Sequence, residues 1–507
     1  MTALLDAEQM RATDRYAIEE LGVLASMLME RAAEALSSEV LKHWSGGRVL
    51  VYVGKGNNGG DGLAAVRLLR ERDVEAFAVL AFPDGSWTGD AALMRDKLSD
   101  EAVIPLGFEP TDGISCAVDC LLGTGSAGAP RGPVLDAVIR LNELKSQGVH
   151  VVACDVPTGV DASTGEVLGE VVHASSTVTF HAMKPGLWIR PGKGLVGEVT
   201  VADIGLLKAP GTEFRIGLID DTVVNGLSSR EVSGDKFSAG AVVVVGGSSG
   251  LTGAPMLCGL GAARAGAGYV TAVLPESLIS ASDQIPEVMG FGVAEDHGTG
   301  GHTPNSAELI IGKLGPDRAL VVGPGIGRTD AAYGLVAKLL VHATSPTVVD
   351  ADGLRAVADR GLDLSDIPAP LVLTPHSGEM AALLGITREE VDAQRLKSVL
   401  TLAGRTQAVV VLKGDDTLVA DPHGVVGVSR GGAPGLATAG SGDVLGGVIG
   451  ALLARGAGAF EAACAGVRIH VEAGRVAAMA GIEGILASDI ASSIPQARSS
   501  LGADERR

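Results

Sequence analysis

Val49-Leu-Val-Tyr-Val-Gly-Lys-Gly-Asn-Asn-Gly-Gly-Asp-Gly62 is the stretch on which the reading of the fold turns. Val49 to Val53 is a short strand-forming run that stops at Gly54. The glycines and two asparagines that follow allow a sharp turn with its N–H groups aimed at an anion. A helix expected over Leu63 to Arg72 adds the dipole of its N-terminus. The spacing satisfies G-x-G-x-x-G, which ordinary turns share. The full nine-residue run from Gly54 to Gly62 is more specific.

The same alternation continues on both sides. The first 45 residues read as helical, with Met10, Asp14 and Ala17 at helical spacing. Strands are expected over Val74 to Phe82, Cys116 to Leu122, Val149 to Val156 and Ser175 to His181, with a helix over Pro133 to Gln147. This order implies a parallel sheet with helices on both faces, a three-layer Rossmann-like α/β domain. Lys208-Ala-Pro-Gly-Thr212 is turn-rich, and Ile216 to Arg230 reads as polar and aperiodic. Alternation restarts at Ala241 and continues through Tyr269–Leu274, Ala319–Val322, Thr347–Val349, Leu371–Leu373 and Ala408–Lys413. Two α/β domains follow, 1–213 and 214–507.

Composition narrows the function. Apolar residues make up 46% and charged residues 20%, which suits a globular chain rather than a disordered one. A net charge of −20 argues against nucleic acid and anionic membranes, whose phosphates demand a basic face. An anionic ligand would have to be held locally, by backbone N–H groups and a few placed cations. Five cysteines without a C-x-x-C pair read as reduced core residues. The absence of an apolar leader or of a long uncharged run leads us to expect a cytoplasmic enzyme.

Two further loops lie at strand ends. Asp119-Cys-Leu-Leu-Gly-Thr-Gly125 and Asp155-Val-Pro-Thr-Gly159 each carry a carboxylate into a Gly-containing turn. Ligands of open α/β sheets bind beyond the carboxyl ends of strands, so Asn57, Asn58, Asp61, Asp119, Asp155 and Thr158 can converge on one cleft. Each alone also serves as a cap or turn residue.

With Leu28-Met-Glu-Arg31 and His181-Ala-Met-Lys-Pro-Gly186, these pieces make residues 6 to 205 resemble the NAD(P)H-hydrate epimerases. The resemblance implies K⁺ held by Asn58, Asp119 and Thr158, where many relatives carry Ser in place of Thr158. It implies substrate contacts from Asn57, Asn58, Gly59, Gly60 and Asp61, from the loop Gly123, Thr124, Gly125, Ser126, Ala127, Gly128 and Ala129, and from Asp155. The substrate is a hemiaminal, with a hydroxyl on the ring carbon beside nitrogen. Inverting that carbon needs reversible C–O or C–N cleavage with proton transfer. Asp61, Asp155 and Lys184 are the candidate proton carriers, unranked. Lys184 could equally be a solvated surface residue.

Gly435-Leu-Ala-Thr-Ala-Gly-Ser-Gly-Asp443 precedes a small-residue helix, Val444 to Leu453. Amides of Gly440, Ser441 and Gly442 at that helix start form an anion hole, with Asp443 beside it. The pairing suits phosphoryl transfer with the carboxylate as proton acceptor. A capped helix with a Gly-rich entry is the plainer alternative. The arrangement resembles ribokinase-like kinases and, more closely, the ADP-dependent NAD(P)H-hydrate dehydratases. Lys236–Gly240, Gly246–Ala254, Gly323–Gly327, Asp350-Ala-Asp352, Thr374–Met380, Leu412-Lys-Gly414 and Gly484–Asp489 follow that family's pattern in order. The resemblance implies that Ala254, Gly325, His376 and Asp443 contact hydrated NADH or NADPH. Lys413, Gly414, Asp415, Asp416, Thr417 and Gly442 would hold ADP, with Mg²⁺, in a homo-oligomer. Asp415-Asp416 departs from the small pair usual there and would repel phosphate unless the acids point away or meet Mg²⁺. Arg475 stands where relatives often carry Asp.

Two rival readings use fewer of these residues. A ribokinase-like vitamin-precursor kinase with a nucleotide-binding front domain needs only the Gly-Ser-Gly-Asp motif. A non-catalytic nucleotide sensor has no use for carboxylates placed beside anions.

Overall fold

The computed structural model describes residues 1–83, 87–211, 213–227, 239–315 and 317–502. The chain divides into two compact units, one of Ala3–Ile216 and one of Met1–Thr2 with Gly217–Arg507.

In the first unit seven strands form one sheet. Their order is Val103–Pro105, Ala76–Leu80, Arg48–Val53, Ile114–Cys120, His150–Cys154, Ser176–Phe180, Glu198–Ala202. Every pairing is parallel. The period-2 alternation of a strand divides its side chains between two cores. Val49, Val51 and Val53 pack with Leu36, Leu63 and Val66 of helices Ala25–His43 and Asn57–Arg70. Leu50 and Tyr52 pack with Val138 and Leu141 of helix Pro133–Ser146 on the opposite face. Chain order reverses between strands Arg48–Val53 and Ile114–Cys120, so the crevice of the sheet opens between their ends.

The helix after Gly54 begins at Asn57, six residues before the expected start at Leu63. No glycine from Gly54 to Gly62 has a positive φ. Their smallness serves close approach instead. A Cβ on Gly54 would stand 1.9 Å from the Leu121 carbonyl oxygen, one on Gly59 1.9 Å from the Gly54 oxygen, and one on Gly62 2.7 Å from Cys120 Cβ. The run is therefore the first turns of a helix pressed onto the sheet, and Asn58 and Asp61 project from that helix.

The second unit is built on one sheet. Its strands follow in the order Ile216–Ile219, Val426–Ser429, Leu418–Ala420, Val409–Leu412, Leu371–Leu373, Thr347–Val349, Arg318–Val322, Ala241–Val245, Tyr269–Pro275, Met289–Val293. The strands from Val409–Leu412 to Met289–Val293 run parallel, and Leu418–Ala420 is antiparallel to both its neighbours. The segment expected to be aperiodic holds the strand Ile216–Ile219 and a helical turn, Thr222–Asn225. Ile216–Ile219 was missed because four residues are too few to show a period; Gly217, Leu218 and Ile219 are buried. Thr212, residues 228–230 of that segment and Lys236 of the Lys236–Gly240 match lie outside the described residues.

Helix Ser441–Ala454 settles in the core, with every residue from Val444 to Ala454 buried. Its glycines allow this: a Cβ on Gly447 would stand 1.9 Å from the Cys258 carbonyl oxygen. All five cysteines are free and buried. Among the described residues no helix is long and apolar enough to cross a membrane.

Candidate active sites

In the first unit Asn58, Asp119 and Thr158 meet at the crevice. Asp119 is fully buried and accepts from the Thr158 hydroxyl at 2.7 Å, the Thr158 N–H at 2.7 Å and the Leu121 N–H at 3.1 Å. Asn58 donates its Nδ2 to the Leu122 carbonyl at 3.0 Å, which leaves its amide oxygen for another partner. Burial pushes the Asp119 carboxyl up to about 6, against the pull of those three donors. Among the described residues no basic side chain compensates it. The result is a cradle of carboxylate, hydroxyl and amide oxygen with an unbalanced negative charge, which fits a hard cation. The loop from Gly123 to Ala129 forms its rim: a Cβ on Gly123 would lie 3.3 Å from the Asn58 amide oxygen, while Gly125, Ala127 and Gly128 are exposed.

Asp155 and Lys184 form the second part of this site. Lys184 is not a surface residue. It is fully buried and donates to Asp155 Oδ1 at 2.7 Å, Thr179 Oγ1 at 2.7 Å and the Phe180 carbonyl at 2.9 Å. Burial alone would raise the Asp155 carboxyl, but Lys184 and then Thr179 hold it below its ordinary range. Asp155 also sits at φ +66°, a strained conformation for a residue with a Cβ. The Asp61 carboxyl is pushed well above its ordinary range, by burial first and then by Asp155 and Asp14. The cleft thus holds one carboxyl biased toward its ionised form and one toward its protonated form, the separation that acid–base work requires. Asp14 was not among the expected site residues.

In the second unit the loops after five neighbouring parallel strands carry the site. Gly440, at φ +87°, opens helix Ser441–Ala454, and Asp443 is its third residue. Lys413 Nζ lies 3.4 Å from where a Gly442 Cβ would stand, 2.9 Å from Asp350 Oδ1 and 3.9 Å from Glu379 Oε2. Lys413 is thus a cation at the anion hole, ringed by carboxyls. Burial first, then Asp350, raises Asp443 to about 7, opposed by Lys413. Burial likewise raises Glu379 to about 7.

His376 caps helix Ser377–Leu384. Its Nδ1 accepts from the Gly378 N–H at 3.0 Å and the Glu379 N–H at 3.2 Å. The hydrogen-bond pattern assigns the ring hydrogen to Nε2, and burial and then Lys413 hold the ring below its ordinary pKa. The Nε2 hydrogen lies on the Glu379 side, with Nε2 3.6 Å from Glu379 Oε1. Ala254 and Gly325 come together, since a Cβ on Gly325 would stand 3.2 Å from that of Ala254. Thr417 closes the turn after Lys413 by hydrogen-bonding Gly414. Asp415 is exposed. Asp416 is turned away from the turn's mouth: it is fully buried and accepts from Arg395 Nε at 2.9 Å. Its carboxylate braces the turn through Arg395.

Several functional neighbours carried little sequence signal. Asp350 and Glu379 lay inside quoted runs without an assigned role. His470, 29 residues beyond Ser441, is buried with its Nε2 3.2 Å from the Ser441 hydroxyl, and burial lowers it to about 4.

Comparison with known proteins bears on both units. A family model described as NAD(P)H-hydrate dehydratase matches residues 242–496, and one described as YjeF-related protein N-terminus matches residues 25–186. The bifunctional NAD(P)H-hydrate repair enzyme of Moorella thermoacetica is 37% identical over 511 residues, covering 97% of this chain and 96% of that one. The Coxiella burnetii enzyme of the same description is 36% identical over 501 residues, covering 97% and 98%. A crystal structure of the Bacillus subtilis ADP/ATP-dependent NAD(P)H-hydrate dehydratase is 25% identical with a TM-score of 0.49, covering 56% of this chain and 98% of that chain. On the similarity that runs through nearly its whole length, the chain belongs to the family of bifunctional NAD(P)H-hydrate repair enzymes.

Proposed function

We propose that the two units divide one repair, with residues 1–213 epimerising hydrated NADH and NADPH and residues 214–507 dehydrating one epimer with ADP. The chain is a bifunctional epimerase and dehydratase, as its family is. The observation that supports the division is that each unit has its own acid–base cluster: Asp61, Asp155 and Lys184 in one, Asp350, Glu379, Lys413 and Asp443 in the other. A vitamin-precursor kinase would leave the first cluster without a task.

In the second unit the ring hydroxyl of the hydrate attacks the β-phosphorus of ADP, and Asp443 takes its proton. AMP leaves. Amides at the start of helix Ser441–Ala454 and the Lys413 ammonium stabilise the charge on the transferring group. The new C–O–P oxygen then departs as phosphate, pushed by the ring nitrogen, and loss of the neighbouring ring proton restores NADH. Mg²⁺ fits as a companion of the nucleotide. Asp350, Glu379 and Asp443 would face it, with phosphate and water supplying further oxygens. When bound it would neutralise phosphate charge. In the first unit Asn58, Asp119 and Thr158 would hold K⁺, which would compensate Asp119.

The test is optical. Chemically hydrated NADH, a mixture of epimers, should regain its full NADH absorbance with the whole chain and ADP. Recovery of only part of the mixture, or recovery without nucleotide, would sink the division.

A further inference from the structure

Asp14 stands where its helix calls for an apolar side chain. Met10, Thr13 and Ala17 are 5%, 0% and 1% exposed and form the inward stripe of helix Ala7–Arg15 and the π-helical turn Tyr16–Glu20 that continues it. Asp14 lies on that stripe, four residues after Met10 and three before Ala17. A half-buried carboxyl there is unfavourable unless it has a partner. Among the described residues Asp14 has no hydrogen-bond or ion-pair partner. The charges of the first cleft act on it: Asp155 raises and Lys184 lowers its carboxyl, and Asp14 in turn helps to raise Asp61. The helix is fastened to that side. The Leu5 N–H donates to the carbonyl of Met183, next to Lys184, at 2.9 Å, and the Ala7 N–H donates to Ser163 Oγ at 3.1 Å. The π turn directly after Asp14 is a feature that recurs at functional sites.

Inverting a hemiaminal carbon through C–O cleavage needs a proton carrier on each face of the ring. We infer that Asp14 and Asp61 are that pair, one on each face of the bound hydrate, an inference that rests on the epimerase reading of this unit. One carboxylic acid gives its proton to the ring hydroxyl. The C–O bond breaks, its electron pair leaves with water, and the ring nitrogen lone pair forms C=N⁺. A water adds to the opposite face, its oxygen pair making the new C–O bond and returning the C=N electrons to nitrogen. The second carboxylate takes the proton that this water sheds. The pair ends with its proton exchanged, which is the starting state for the reverse direction. Burial, and then Asp155, raises both carboxyls above the ordinary range, which favours the protonated form of each.

The test uses the full chain, each epimer of NADH hydrate in turn and heavy-oxygen water. The native chain should invert the carbon with uptake of one labelled oxygen per turnover. Asp14→Asn should slow inversion by ~10²–10⁴-fold. For the epimer whose hydroxyl lies on the Asp61 face, label should still enter with configuration kept, because Asp61 still works there. ADP-dependent dehydration should be unchanged. Inversion at the native rate, or inversion and retentive exchange falling together for both epimers, would overturn the assignment of Asp14. Should Asp14→Asn fail to fold, Asp14→Ser reads the same two rates. A native chain that does not invert the carbon at all would instead overturn the epimerase reading.

Discussion

The Lys184 ammonium lies 2.7 Å from an Asp155 carboxylate oxygen, and the lysine side chain is wholly buried. Removing one partner of such a pair leaves the other charged and uncompensated. Lys184→Met should therefore destabilise the first unit by about 3–5 kcal/mol and abolish epimerisation. Dehydration of the favoured epimer should persist. Denaturant unfolding checks the first part, and an unshifted transition would refute it.

Asp443 follows the anion hole and can receive the proton of the attacking hydroxyl. Asp443→Asn keeps shape but cannot take that proton. ADP-dependent dehydration should fall ~10²–10⁴-fold while nucleotide binding and epimerisation are kept. Near-native turnover would leave Asp443 as a helix cap.

Asp443 and Glu379 each move to about 7 in the folded chain, from 3.8 and 4.5 in an unperturbed one. Between about pH 4 and about pH 7 the folded state thus binds more protons than the unfolded state, and stability falls as pH rises through that window. Turnover, which needs Asp443 ionised, should rise over the same window. Activity and melting temperature should move in opposite directions, and Asp443→Asn should lose part of the melting slope. The carboxyls share Lys413, so the profile will report the group rather than one residue. A melting temperature that falls with pH as steeply in Asp443→Asn as in the native chain would refute this account.

Asp119 accepts from one hydroxyl and two backbone N–H groups and meets no cationic side chain among the described residues. Epimerisation should be faster in K⁺ than in choline buffer, and Asp119→Asn should erase the difference. Equal native rates in K⁺, Na⁺ and choline would dismiss the cation.

The alternation of strands and helices, and the loops that carry Asp119, Asp155 and Asp443, are legible in the sequence because each follows from local pattern. What stayed hidden depends on contacts between distant segments. Lys184 was open between surface and cleft until Thr179, Phe180 and Asp155 closed around it. Asp416, in the sequence a repulsive neighbour of phosphate unless it points away, is turned inward by Arg395 at the start of helix Arg395–Thr406. Asp14 stands at helical spacing with Met10 and Ala17, and that spacing alone does not connect it to Asp155 and Lys184. Ile216–Ile219 is a strand because the sheet beside it supplies partners, not because four residues show a period.

Gly54, Gly59 and Gly62 leave no room for one methyl group between helix and sheet. The most recognisable run of the chain is therefore held by packing as well as by chemistry. A descendant that lost Asp61, Asp155 and every trace of turnover would still need those glycines in order to fold. Their presence in another sequence testifies to ancestry and architecture. Whether that sequence is a living enzyme or a silent copy must be read from the carboxyls and the lysine.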